Sequence, residues 1–207
     1  ASVLERYLSR ADYPRVVAHV PPEGYRDIVE RATAELDIEV EFTVGDHPTT
    51  DESLSALATT LSGEDQYRKR EREHNTVRAV ADYLFGDGAG DDLFTDLRTD
   101  GHYPKLRAHE GNPDPNSEEG THLATLVPQY GTLSFTLAGA RRWAESDAPT
   151  KRVEIDAFVP RGSVLAPGIV DADADIKVGD EVVIEGPRAF AVGRAEMPGP
   201  EMRSATR

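Results

Sequence analysis

The chain has no cysteine among its 207 residues. That absence excludes disulfides, thiolate-ligated zinc and a cysteine nucleophile. Lysine is almost as scarce. It stands only at Lys69, Lys105, Lys151 and Lys177, so arginine supplies nearly all the positive charge. No apolar run approaches the roughly 18 residues of a membrane-spanning helix, and no secretory leader is visible. The expected location is the cytoplasm, away from any membrane.

What is present in excess is acid. The formal net charge is −15, with a hydrophobic fraction of 38%. Such a balance can mean disorder, but here the apolar residues recur too regularly. Salt adaptation fits better, as in a halophile. Carboxylate-rich, lysine-poor surfaces stay hydrated in molar salt, where charge is screened over roughly 3 Å. The acid is also uneven: residues 1–139 hold 13 Lys+Arg against 26 Asp+Glu, whereas residues 140–207 hold 10 against 12. A polyanionic partner would meet the C-terminal part. Because the chain begins at Ala1 and ends at Arg207 just after an unfinished β pattern, it is expected to be a piece of a longer protein.

Three segments are expected. Residues 1–65 form an α/β segment, the end of a longer domain. Arg15 to Val20 reads as a strand, and Pro21-Pro22 opens a helix. Its apolar face is Tyr25, Ile28, Val29, Ala32 and Leu36. Ile38 to Val44 alternates at period two as the next strand, making a parallel crossover. Asp51 caps a further helix bearing Leu54, Leu57, Ala58 and Leu61. Residues 66–149 form a small α+β domain. A charged helical stretch runs into a face of Val77, Val80, Ala81 and Leu84. Gly86 stops it, the Gly/Asp-rich residues 86–92 read as a loop, and residues 110–120 connect two strands. Leu123 to Val127 and Thr132 to Leu137 are strands around a turn at 129–131, followed by a helix with Ala138, Ala140 and Trp143. Residues 150–207 are β-rich: Val153 and Ile155 start a strand, and Val164 to Val170, interrupted by Pro167 and Gly168, is kinked or at an edge. Val182 to Ile184 and Phe190 to Ala195 follow. Turns every 8 to 12 residues suggest a small barrel. The fold class is α+β, mixed.

No catalytic centre can be read from the residues. The histidines His19, His47, His74, His102, His109 and His122 do not share a helix turn with a carboxylate partner, so no zincin-type site is expected. Asp171, Asp173 and Asp175 begin like a calcium loop but lack its glycine and distal glutamate. Gly86 to Gly90 lacks the lysine of a phosphate loop. No cofactor and no metal are expected. The basic run Arg68 to Arg72 is balanced by glutamates and reads as a solvated helix face. Arg141-Arg142 and Lys151-Arg152 flank the entrance to the β-rich segment, where such cations can hold phosphates.

Residues 151–207 resemble the PUA domain: an F-V-P-x-G turn, a V-x-A-P-G strand, D-x-x-V-G-D-E-V and a returning strand with A-x-G-x-A. The resemblance implies a groove for structured RNA, often the acceptor end of tRNA. It would be built by Arg161, Gly162, Ser163, Val164, Ala166 and Gly168, where small residues let a backbone come close. With Lys151, Arg152 and Arg194 these make the candidate RNA-binding set. The family's closing strand is expected just after Arg207. Upstream, residues 12–32, the helix at 76–86 and residues 123–143 resemble the archaeal tRNA-guanine transglycosylase relatives, above all the archaeosine synthases. That resemblance implies action on 7-cyano-7-deazaguanine in the tRNA D-loop, with a nitrogen donor transferred to the nitrile. In some lineages a radical-SAM enzyme is the partner. The family's Pro-Cys-x-x-Lys-Pro-Tyr-type motif would lie before Ala1, so no catalytic residue is assigned here. A stand-alone, non-catalytic PUA protein and a piece of the transglycosylase itself remain open alternatives.

Overall fold

A computed structural model describes residues 2–10, 13, 15–20, 25–44, 65–102, 105–111, 120–127 and 129–204. Among these residues three sheets follow one another in chain order.

In the first unit, helix α1 (Ser2–Ser9) precedes strand β1 (Arg15–Val20), helix α2 (Arg26–Thr33) and strand β2 (Glu39–Val44). β1 and β2 pair in parallel, from Arg15 opposite Glu39 to Val20 opposite Val44, as the crossover pattern requires. Helix α2 is shorter than its apolar pattern. Ala32 is buried, whereas Tyr25 lies before the helix and Leu36 beyond it. The helix expected after Asp51 lies outside the described residues.

The middle unit is organised by one long helix, α3 (Asp65–Phe85). Val77, Ala81 and Phe85 recur every four residues and are buried together, the stripe a core-facing helix needs. Gly86, at φ 107, ends it, and its N–H donates to the Asp82 carbonyl. The following glycines do not form an open loop. Ala89–Leu93 is a short helix, α4. Two features impose it. A Cβ on Gly90 would collide with the Arg78 backbone, so only glycine permits this approach. The fully buried Asp82 carboxylate accepts from the Gly88 N–H at 3.1 Å and the Gly90 N–H at 2.9 Å. Strands β3 (Leu97–His102), β4 (Lys105–Glu110), β5 (Thr121–Val127) and β6 (Thr132–Phe135) form an antiparallel sheet in that order. Helix α5 (Leu137–Glu145) starts at Thr136, whose hydroxyl accepts from the Gly139 N–H. It buries Trp143 against Phe85 and Phe135, with ring centroids 4.6 and 5.2 Å apart.

The last unit holds β7 (Arg152–Ile155), β8 (Ile169–Ala172), β9 (Glu181–Gly186) and β10 (Ala189–Arg194) in the order β10-β9-β7-β8. β7 and β9 are parallel; the other pairs are antiparallel. The strand expected over Val164 to Val170 begins only at Ile169. Ala166–Gly168 is a 3₁₀ turn, because Pro167 cannot donate to a ladder. The resulting β8 lies at the sheet edge. A closing helix, α6 (Gly199–Ser204), was not visible in the β pattern; it seats Met202 in the core of Val153, Ile155, Ile176 and Val182. Val183, Phe190 and Val192 pack instead on the middle unit's core, so the two units share one apolar junction.

Candidate RNA-binding groove

The turn after β7 places Pro160, Gly162, Ser163 and Val164 along one side of an open cavity of about 510 Å³. Gly162 has φ 80, a conformation that side-chain-bearing residues rarely adopt. The other side comes from the end of β10, through Gly193, Arg194 and Ala195. Its lining is mostly apolar, including Ile184, Ala191 and Met197. Of the candidate set, Gly162, Ser163, Val164, Ala166 and Arg194 meet here. Arg161 lies between two lining residues, is exposed, and has no ion pair among the described residues.

The remaining candidates are placed elsewhere. The Lys151 ammonium donates to Asp180 Oδ2 at 2.6 Å. Arg152 donates from Nη1 to Glu185 at 2.7 Å and from Nη2 to the Ala144 carbonyl at 2.9 Å, so it braces β7 against α5. Arg142 is likewise held by the Leu93 carbonyl, Glu110 and Thr95. Gly168 is small for an internal reason: a Cβ there would lie 2.8 Å from the Phe158 ring.

Leu165, 70% exposed and lining the cavity, was missed by sequence reasoning. A continuous strand over 164–170 hides it, whereas the 3₁₀ turn leaves it on the rim. Tyr130 was also missed. It belongs to the β5–β6 turn, yet the Arg194 guanidinium lies 4.2 Å from its ring centroid. Beside this stack, burial pushes the Glu181 carboxyl up to about 7, against the opposing pull of the Phe135 backbone and Arg194. Among the described residues no group of three His, Asp or Glu could hold a metal ion, and no helix is long and apolar enough to cross a membrane.

Three family profiles match the chain: a domain of unknown function (DUF5591) over residues 1–61, the patch-forming domain C2 of tRNA-guanine transglycosylase over 75–149, and the PUA domain over 151–207. Two of these matches fall on the middle and last units, the transglycosylase patch-forming domain ahead of the PUA domain. The chain is 59% identical over its whole length to the archaeosine synthase of Haloferax volcanii, and 41% identical over 99% of its length to the archaeosine synthase subunit alpha of Methanosarcina acetivorans. The chain spans about a third of these relatives' length, 34% and 33% respectively. A crystallised protein of unknown function, AF0587, shares the fold, with a TM-score of 0.54, 29% identity, and coverage of 96% of this chain and 66% of that one.

Proposed function

We propose that this chain is the tRNA-binding part of an enzyme of archaeosine biosynthesis. The observation that carries the proposal is the meeting of Gly162, Ser163, Val164, Ala166 and Arg194 around one groove in the segment matched by the PUA domain. Chemically, the groove suits a folded RNA. Small rim residues let a sugar-phosphate backbone approach, Arg161 and Arg194 offer planar cations to phosphate, and the apolar floor takes ribose or base. In the fuller reading, the whole enzyme acts in the cytoplasm on 7-cyano-7-deazaguanine in the D-loop and transfers a nitrogen donor to its nitrile. A radical-SAM enzyme is the partner that this reading adds. Whole-length likeness to archaeosine synthases favours it over a stand-alone PUA binder.

The test is a gel shift of a tRNA transcript in molar salt. The wild-type chain should shift it, and the double change Arg161→Glu with Arg194→Glu should weaken the shift about tenfold or more. Unaltered binding by the double variant rules out this groove.

A further inference from the structure

Exposed aromatic side chains are ordinary when they stand alone. Tyr130 does not stand alone. The residue is 59% exposed, and the guanidinium stacked on its ring belongs to Arg194, a lining residue of the groove. The stack therefore joins the turn between β5 and β6, in the middle unit, to the end of β10 in the last unit. Gly131, at φ 62, completes that turn, and the Tyr130 N–H donates to the Val127 carbonyl at 3.1 Å. In the turn before β9, Gly179 makes room for the arginine: even a Cβ there would lie 3.3 Å from Nη2.

We propose that Tyr130 and Arg194 form a ledge on which one unpaired base of the bound RNA stacks, at the place where the groove meets the middle unit. Every base has a π face, and bases taken out of a helix stack on aromatic rings and on guanidinium planes. Neither the Tyr130 hydroxyl nor the Arg194 guanidinium has a hydrogen bond or ion pair among the described residues, so both keep capacity for a ligand. Glu181, opposite Arg194 in the β9–β10 ladder, is half-buried, and burial pushes its carboxyl up to about 7. Near neutral pH it is only partly ionised, and it leaves Arg194 a net cation for the phosphate next to the stacked base. A duplex end offers no such splayed base; an unpaired nucleotide of a folded RNA does.

The inference rests on the groove reading, and one experiment separates the two. A tRNA transcript is titrated into the full chain and into Tyr130→Ala, Tyr130→Phe and Tyr130→Trp. Tyr130→Phe and Tyr130→Trp should bind within about twofold of wild type. Tyr130→Ala should bind roughly 5- to 150-fold more weakly, the range measured for loss of one stacked base. The tryptophan introduced by Tyr130→Trp should lose emission as tRNA binds. Trp143 is fully buried, so its emission in the wild-type chain serves as the baseline and as a check of folding. Tyr130→Ala binding within twofold of wild type, or unchanged emission of Tyr130→Trp at saturating tRNA, overturns the ledge while the groove stands. Failure of the wild-type chain to bind removes both.

Discussion

The basic residues at the junctions and those at the groove rim have opposite fates. At the first junction, Arg10 donates to the buried Asp82 at 2.8 Å and to Asp91 at 3.0 Å. At the second, Lys151 and Arg152 are bound to Asp180 and Glu185. At the rim, Arg161 has no acid partner among the described residues, and Arg194 rests on a ring instead of a carboxylate. In a chain with a net charge of −15, a cation without a carboxylate partner is the informative one. The paired cations serve the fold, between units at Arg10 and within the last unit at Lys151 and Arg152; the rim pair is left to the RNA in the proposed reading.

The sharpest way to break this contrast is at Asp82. Asp82→Ala leaves two backbone donors unsatisfied and removes one of the two acid partners of Arg10, and should lower unfolding free energy by about 2–4 kcal/mol. Chemical denaturation in molar salt measures it, and a loss under 1 kcal/mol would mean that the junction is held otherwise. The rim should respond in the other currency. Arg161→Glu with Arg194→Glu should leave the unfolding midpoint within about 0.5 kcal/mol of wild type while weakening tRNA binding. Arg152→Met should do the reverse. It should cost about 1 kcal/mol of stability and leave tRNA affinity intact; if it weakens binding as much as the rim pair does, Lys151 and Arg152 return to the RNA face.

The smallest effect is at Glu181. Its folded pKa lies above the ordinary glutamate value, so the folded chain holds this proton more tightly than the unfolded one. The stabilisation is present below about 4.5 and is lost as pH rises through about 7. Glu181→Gln should therefore be more stable than wild type above pH 7, by about 1 kcal/mol once its partly solvated position is discounted. The advantage should vanish below pH 5. Thermal unfolding across that range shows it, and a pH-independent difference contradicts the assignment.

Local pattern sufficed where local forces decide. The βαβ unit follows from the alternation of 38–44 and the helical spacing of Ile28, Val29 and Ala32, and Val77, Ala81, Ala140 and Trp143 declared their burial by helical spacing. It failed where a distant group decides. The glycines after Gly86 look like a loop, yet Asp82 and the Arg78 backbone wind them into α4. Lys151 and Arg152 look open, but Asp180 and Glu185, some thirty residues later, take them. β3, with the sequence LRTDGH, lacks a strand-like pattern; as an edge strand it needs only β4 beside it. Gly162 on the rim was legible through family resemblance, whereas Gly193 and Tyr130 were not; Tyr130 depends on a contact between units.

The two guanidinium–ring stacks across the second junction run in opposite senses: Arg141 of α5 lies 4.7 Å from the Phe190 ring centroid, and Arg194 of β10 covers Tyr130. Molar salt weakens attraction between solvent-exposed ions, but it leaves the dispersion between flat faces in contact nearly untouched. The junction thus works as a caliper whose jaws keep their setting as the brine thickens or thins. Whatever the groove grips is held at a constant span from the unit before it.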